Sequence, residues 1–69
     1  MKTIRARFEG SQKEYTFNVN QDVKVGDRLL TSNYKTEIVV SAVNLIHVTH
    51  FHIGGKNVEV KVLDIIKIN

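Results

Sequence analysis

A chain of 69 residues with no cysteine has neither a disulfide framework nor a thiolate zinc site to hold it, and at this size folding buries only about 60% of the unfolded surface. Ten Lys and Arg against seven Asp and Glu leave a formal charge of +3, a bias that suits a polyanion partner and ordinary solubility alike. No apolar run reaches the length of a signal peptide core or a membrane span, so the expectation is a single cytoplasmic domain over residues 1–69 with no membrane contact.

Apolar residues recur with a period of two almost everywhere, the pattern of half-buried strands. In "KTIRARFE", Ile4, Ala6 and Phe8 share one face, and Thr3, Arg5, Arg7 and Glu9 the other. "EYTFNVN" alternates likewise, with Tyr15, Phe17 and Val19 inward against Glu14, Thr16, Asn18 and Asn20. With "GSQK" as a hairpin loop, Phe8 falls opposite Tyr15, Ala6 opposite Phe17 and Ile4 opposite Val19. The same register sets Arg7 beside Thr16 and Arg5 beside Asn18.

Gly26-Asp27 marks a turn, followed by a short strand from Arg28 to Ser32 and a polar hairpin tip, "SNYKT". From Glu37 to about Phe51 the chain is apolar on both faces over its first half. That predicts one strand bending around a small barrel, with a bulge between Ser41 and Asn44. "GGKN" reverses the chain, Val58, Val60 and Val62 point inward, and "IIKIN" forms a last strand after Leu63-Asp64 interrupts the alternation. No window carries a helical period. The expected fold is all-β, a small five- to six-stranded SH3-like barrel, whose closure removes edges that a chain without proline cannot blunt.

The segment "EYTFNV…VKVGDRLLTSNYKTEIVV", residues 14 to 40, resembles the N-terminal DNA-binding domain of the bacterial replication-restart (primosomal) helicase. It is also similar to short phage and prophage proteins with the same order of strand, "VGD" turn, strand and hairpin. The resemblance implies a small barrel that holds the 3′ end of a DNA strand, and a phage or prophage origin. Its aromatic–acidic–aromatic pattern falls on Tyr15, Thr16 and Phe17, where Thr16 stands in place of the carboxylate.

Candidate chemistry is sparse. His50 and His52 point to one side of an extended strand and His47 to the other. Two imidazoles at i and i+2 can share a metal, but a filled site needs a third or fourth ligand. Carboxylates such as Asp64 lie far along the chain, so no metal and no cofactor are expected. Ser11, Ser32 and Ser41 lack a Gly-x-Ser-x-Gly context, the carboxylates show no catalytic pairing, and no helix follows "IGGKN" to bind phosphate. The chain reads as a non-enzyme.

Two binding readings remain. Arg5 and Arg7 beside Thr16 and Asn18 form a cationic strip, Lys24 and Arg28 bracket the "VGD" turn, and Tyr34 with Lys35 offers a stackable ring and a further cation. Those six residues are the expected nucleic-acid surface, contacting phosphate through arginine forks. The plainer alternative is a solvated hairpin face with Glu9 and Glu14 as counterions. A second reading starts from the apolar excess in "VVSAVNLI" and "LDIIKI". A small barrel has one interior, so some of Val39, Val43, Leu45, Leu63 and Ile65 are expected to face a protein partner or a second copy in a homo-oligomer. That reading makes the chain an assembly or regulatory protein.

Overall fold

A computed structural model describes residues 1–69. Seven strands form: β1 (Lys2–Phe8), β2 (Glu14–Val19), β3 (Arg28–Thr31), β4 (Ile38–Ala42), β5 (His50–Ile53), β6 (Lys56–Glu59) and β7 (Ile65–Ile68). All but β5 and β6 belong to a five-stranded sheet in the order β2-β1-β4-β3-β7, every ladder antiparallel. β5 and β6 make a separate two-stranded ribbon. There is no helix, and hence none long and apolar enough to cross a membrane.

The first hairpin forms with its predicted faces but a different register. Ile4 pairs with Phe17, Ala6 with Tyr15 and Arg7 with Glu14, two residues away from the expected pairing. The cause is the turn. Ser11 N–H donates to Phe8 C=O at 2.9 Å, and Gly10 sits at φ 83°. A tight turn with left-handed glycine at its third position centres the reversal on Gly10-Ser11 rather than later. Because the slip is even, no side chain changes face. Ile4, Ala6, Phe17 and Val19 are buried, while Tyr15, near the loop end of the hairpin, is exposed rather than in the core.

The "VGD" corner follows the same rule. Asp27 N–H donates to Lys24 C=O at 3.0 Å, Gly26 takes φ 93°, and the Asp27 carboxylate accepts from Lys24 N–H at 3.0 Å. The turn delivers Leu29 into the core against Ile38, its partner on β4.

The long strand expected from Glu37 to Phe51 breaks in two. Arg5 pairs with Ala42 but Ala6 with Val40, so Ser41 is the extra residue of a bulge, within the stretch where the sequence places one. β4 then ends, and Asn44 adopts φ 61°. Residues 43–49 swing across the end of the β1–β2 hairpin instead of continuing the ladder. Val48 N–H donates to Thr3 Oγ1 at 3.0 Å and Asn18 Nδ2 donates to Val48 C=O at 2.9 Å. Competing side-chain partners on β1 and β2 therefore terminate a segment whose own composition favours extension.

The sheet is not closed as a barrel. β2 and β7 are its two edges, and β2 meets only a single parallel bridge, Asn18 with Val62. There Asn18 N–H donates to Lys61 C=O and its C=O accepts from Leu63 N–H, at 2.9 and 2.8 Å. The chain then crosses to the opposite edge, where β7 pairs with β3. This crossing buries Leu63 to 2% exposure in the core cluster with Ile4, Phe17, Val19, Leu29 and Val40. Leu63 is thus a core residue and not a partner contact. Val43 and Ile65 also pack against that cluster, half-buried, and of the expected interface residues Leu45 alone is exposed, at 39%.

Only 12 residues are fully buried, so each core contact carries a large share of the stability. Truncating Leu63 to Ala costs about 2–5 kcal/mol, as for other buried Leu→Ala changes. Leu45→Ala stays within about 0.5 kcal/mol, as for surface sites. Urea unfolding of the two variants checks both values.

Candidate functional site

The outer face of β1 carries Arg5 and Arg7, as the alternation requires. The two-residue slip changes their neighbours. Arg5 lies opposite Thr16, and Arg7 opposite Glu14 rather than Thr16. Arg5 Nη1 stands 4.0 Å from Glu14 Oε2, while no carboxylate pairs with Arg7. Asn18, expected beside Arg5 on this face, is buried and spends its carboxamide on Thr3 and Val48.

Arg28 is not a free cation. Its guanidinium pairs with Glu9, and Nε donates to Glu37 Oε1 at 3.0 Å. The hydrogen bond to Glu9, then that to Glu37, raises its pKa further above the ordinary arginine value. The sheet explains the cluster. Glu9 and Glu37 face each other at the β1–β4 ladder, where Glu9 N–H donates to Glu37 C=O at 2.9 Å, and β3 brings Arg28 alongside. Lys24 and Lys35 lie at opposite ends of β3, in the preceding turn and the following hairpin tip. The six expected contacts therefore reduce to one local pair of cations, Arg5 and Arg7.

Tyr34 differs from expectation too. Its ring packs edge-on against Phe8 at 5.0 Å between centroids and lies 6.3 Å from Phe17. Edge-to-face contacts of this kind stabilise an aromatic cluster, so this half-buried ring is no free platform for a base. Of the Tyr15, Thr16 and Phe17 triplet, Tyr15 is exposed with Lys13 Nζ 5.2 Å above its ring, Thr16 is half-buried and Phe17 is core.

The surface that sequence reasoning missed is the β5–β6 ribbon. Gly54 and Gly55, at φ 57° and 78°, form its tip, as a two-residue hairpin with both central residues left-handed requires. Pairing sets Phe51 opposite Val58 and Ile53 opposite Lys56 on one face. His50 opposite Glu59 and His52 opposite Asn57 occupy the other. Every residue of both strands is exposed. Phe51 is 36% exposed, Val58 46% and Ile53 62%, and Ile46 before the ribbon reaches 88%. Val58, expected inward with Val60 and Val62, thus faces solvent, because β6 pairs with β5 and with nothing else. The signal was present in "HFHIGGKNVEV", where a Gly-Gly pair sits between alternating runs. The register also brings Glu59 across from His50, but no three His, Asp or Glu side chains gather to hold a metal ion.

No family model, curated protein or solved structure matches this chain.

At the start of β1 Lys2 bonds to Asp22, and this hydrogen bond, reinforced by the lysine charge, lowers the Asp22 pKa. A depressed carboxylate pKa means that the pair contributes at neutral pH and is lost as pH falls through the lowered value. In Lys2→Met the Asp22 carboxyl is expected to titrate back in the ordinary aspartate range, read by the pH dependence of its side-chain carbon resonance.

Proposed function

We propose that this chain is a non-enzymatic assembly module, built on an SH3-like roll of sheet, that associates with a second copy of itself through the β5–β6 ribbon. One observation carries the reading: a ribbon that pairs with no other strand and whose apolar face, Phe51, Ile53 and Val58, is exposed. An isolated two-stranded hairpin is marginal in water, and a face this apolar gains by burial at roughly 25 cal/mol per Å². The face is continuous with the interior, since Val60, two residues beyond Val58, is buried.

A second copy fits because the ribbon carries one lysine, Lys56, and one glutamate, Glu59, so its formal charge is zero despite the +3 of the whole chain. Two apolar faces then meet in an isologous two-fold arrangement without net repulsion between the ribbons. Both outer edges of the ribbon also keep backbone groups free for further pairing.

Light scattering across a wide concentration range tests the proposal. The expected result is a mass that rises toward twice 7.9 kDa and a Phe51→Asp variant that stays monomeric with an unchanged core. A wild-type chain that remains monomeric at millimolar concentration overturns it.

Arg5 and Arg7 support a second reading, phosphate-backbone binding by a module of phage type, because Arg7 has no acidic partner and Arg5 only a distant one. Such binding falls steeply between about 50 and 200 mM salt as counterions are released. Oligonucleotide titration of the Arg5→Glu, Arg7→Glu double variant separates the two readings. Loss of a salt-sensitive affinity supports contact with phosphate. An oligomer indifferent to both changes supports assembly alone.

A further inference from the structure

The chain has one cleft of note, about 370 Å³, at the end of the sheet away from the aromatic cluster. Its size lies within the range of small-molecule sites, roughly 300–1,000 Å³. Ile4, Val23, Val43 and Leu45 supply an apolar wall, and Thr3, Asn44 and His47 supply the polar groups. Met1 and Lys2 stand at its rim, the Lys2 side chain paired with Asp22, and no carboxylate lines it.

The hydrogen-bond inventory fixes the chemistry of His47. Val48 C=O needs a donor, so the Asn18 amide nitrogen faces it and Asn18 Oδ1 faces Thr3. The single hydroxyl proton of Thr3 is therefore committed to Asn18 Oδ1, at 2.5 Å. Thr3 Oγ1 then accepts from Val48 N–H at 3.0 Å and, at 3.1 Å, from His47 Nδ1. His47 Nδ1 must carry a proton. In the neutral ring Nε2 is left as an unengaged acceptor on the side away from Thr3.

A second observation marks the same place. Asn44 is the one non-glycine residue with positive φ, a conformation that asparagine tolerates and that sets it at the mouth of the cleft. Asn44 lines the cleft as an exposed residue whose carboxamide makes no hydrogen bond within the fold. We infer that the cleft binds a small uncharged molecule with an apolar body and a hydroxyl or amide N–H head. The body lies against Ile4, Val23, Val43 and Leu45. The head donates to His47 Nε2 and meets the Asn44 carboxamide. A carboxylate has no proton to give a bare Nε2, so the site selects a donor head over an anion.

The test is an NMR titration of the full chain with three probes that share one body: p-cresol, 4-methylanisole and p-toluate. Saturable amide shifts are expected for p-cresol at Ile4, Val23, Val43, Leu45 and His47. The ether, which cannot donate, should bind about tenfold more weakly, the scale of one net hydrogen bond, and the carboxylate weaker still. Ring nitrogen spectra should show His47 protonated at Nδ1 and bare at Nε2. Val43→Trp, which fills the cleft without touching the Thr3–Asn18 bonds, should abolish the shifts while the Leu63 amide stays protected from exchange. Equal affinity for the cresol and the ether, preference for the carboxylate, shifts elsewhere, or the opposite tautomer each overturn the inference.

Discussion

The fold depends on Asn18, a polar side chain buried at the edge of the sheet. Its backbone N–H and C=O tie down Lys61 and Leu63, and its side chain holds Thr3 and Val48. Four segments distant in sequence thus meet at one residue. A buried amide left without partners costs roughly 1–3 kcal/mol, yet here each polar group is satisfied, so the knot is stable only when all of its strands are present. That requirement makes the crossing of residues 61–63 and the path of residues 43–49 mutually dependent. It also explains how a chain with so few fully buried residues keeps an ordered end to its sheet.

The same knot sets apart the ribbon. Residues 43–49 are drawn across the end of β1 and β2 by Thr3 and Asn18, and residues 61–63 return to the edge of β2. What lies between them, β5 and β6, has no strand left to pair with and projects as a free arm. The elongated outline, 37 × 23 × 20 Å, fits a small body with one extension. The apolar face of that arm and the cleft lined by His47 and Asn44 are consequences of one packing decision at Asn18 and Thr3.

Electrostatics follow the ladders rather than the charge count. Arg28 looks like a free cation in the chain, but the β1–β4 and β3–β4 pairings surround it with Glu9 and Glu37. Arg7 keeps its charge unpaired although Glu14 lies across from it. Exposed pairs of this kind contribute little to stability, because solvent screens them. Their weight is in what they leave available: an outer face of mixed sign, with Arg5 and Arg7 its one local concentration of positive charge.

The period-two alternation and the turn residues were enough to give an all-β chain, the faces of β1 and β2, the corner at Gly26-Asp27, the hairpin tip after β3 and a bulge between Ser41 and Asn44. Each follows from local chemistry, because side-chain direction on a strand and glycine's access to positive φ are properties of a few consecutive residues. The exact hairpin register was not legible, since an even slip preserves every face and the choice rests on a turn geometry that "GSQK" leaves open. Leu63 and Val58 exchange their expected roles for a different reason. Val58 sits in an alternating apolar run and Leu63 at the break that follows it, and whether such a residue is core or surface depends on which strand comes to lie beside it. That was decided by the partners Thr3 and Asn18 offer to residues 47–48 and 61–63, contacts separated by up to 45 positions in the chain. By itself the sequence determined strands, faces and corners; the open sheet, the free ribbon and the cleft exist because buried polar groups far apart in the chain had to satisfy one another.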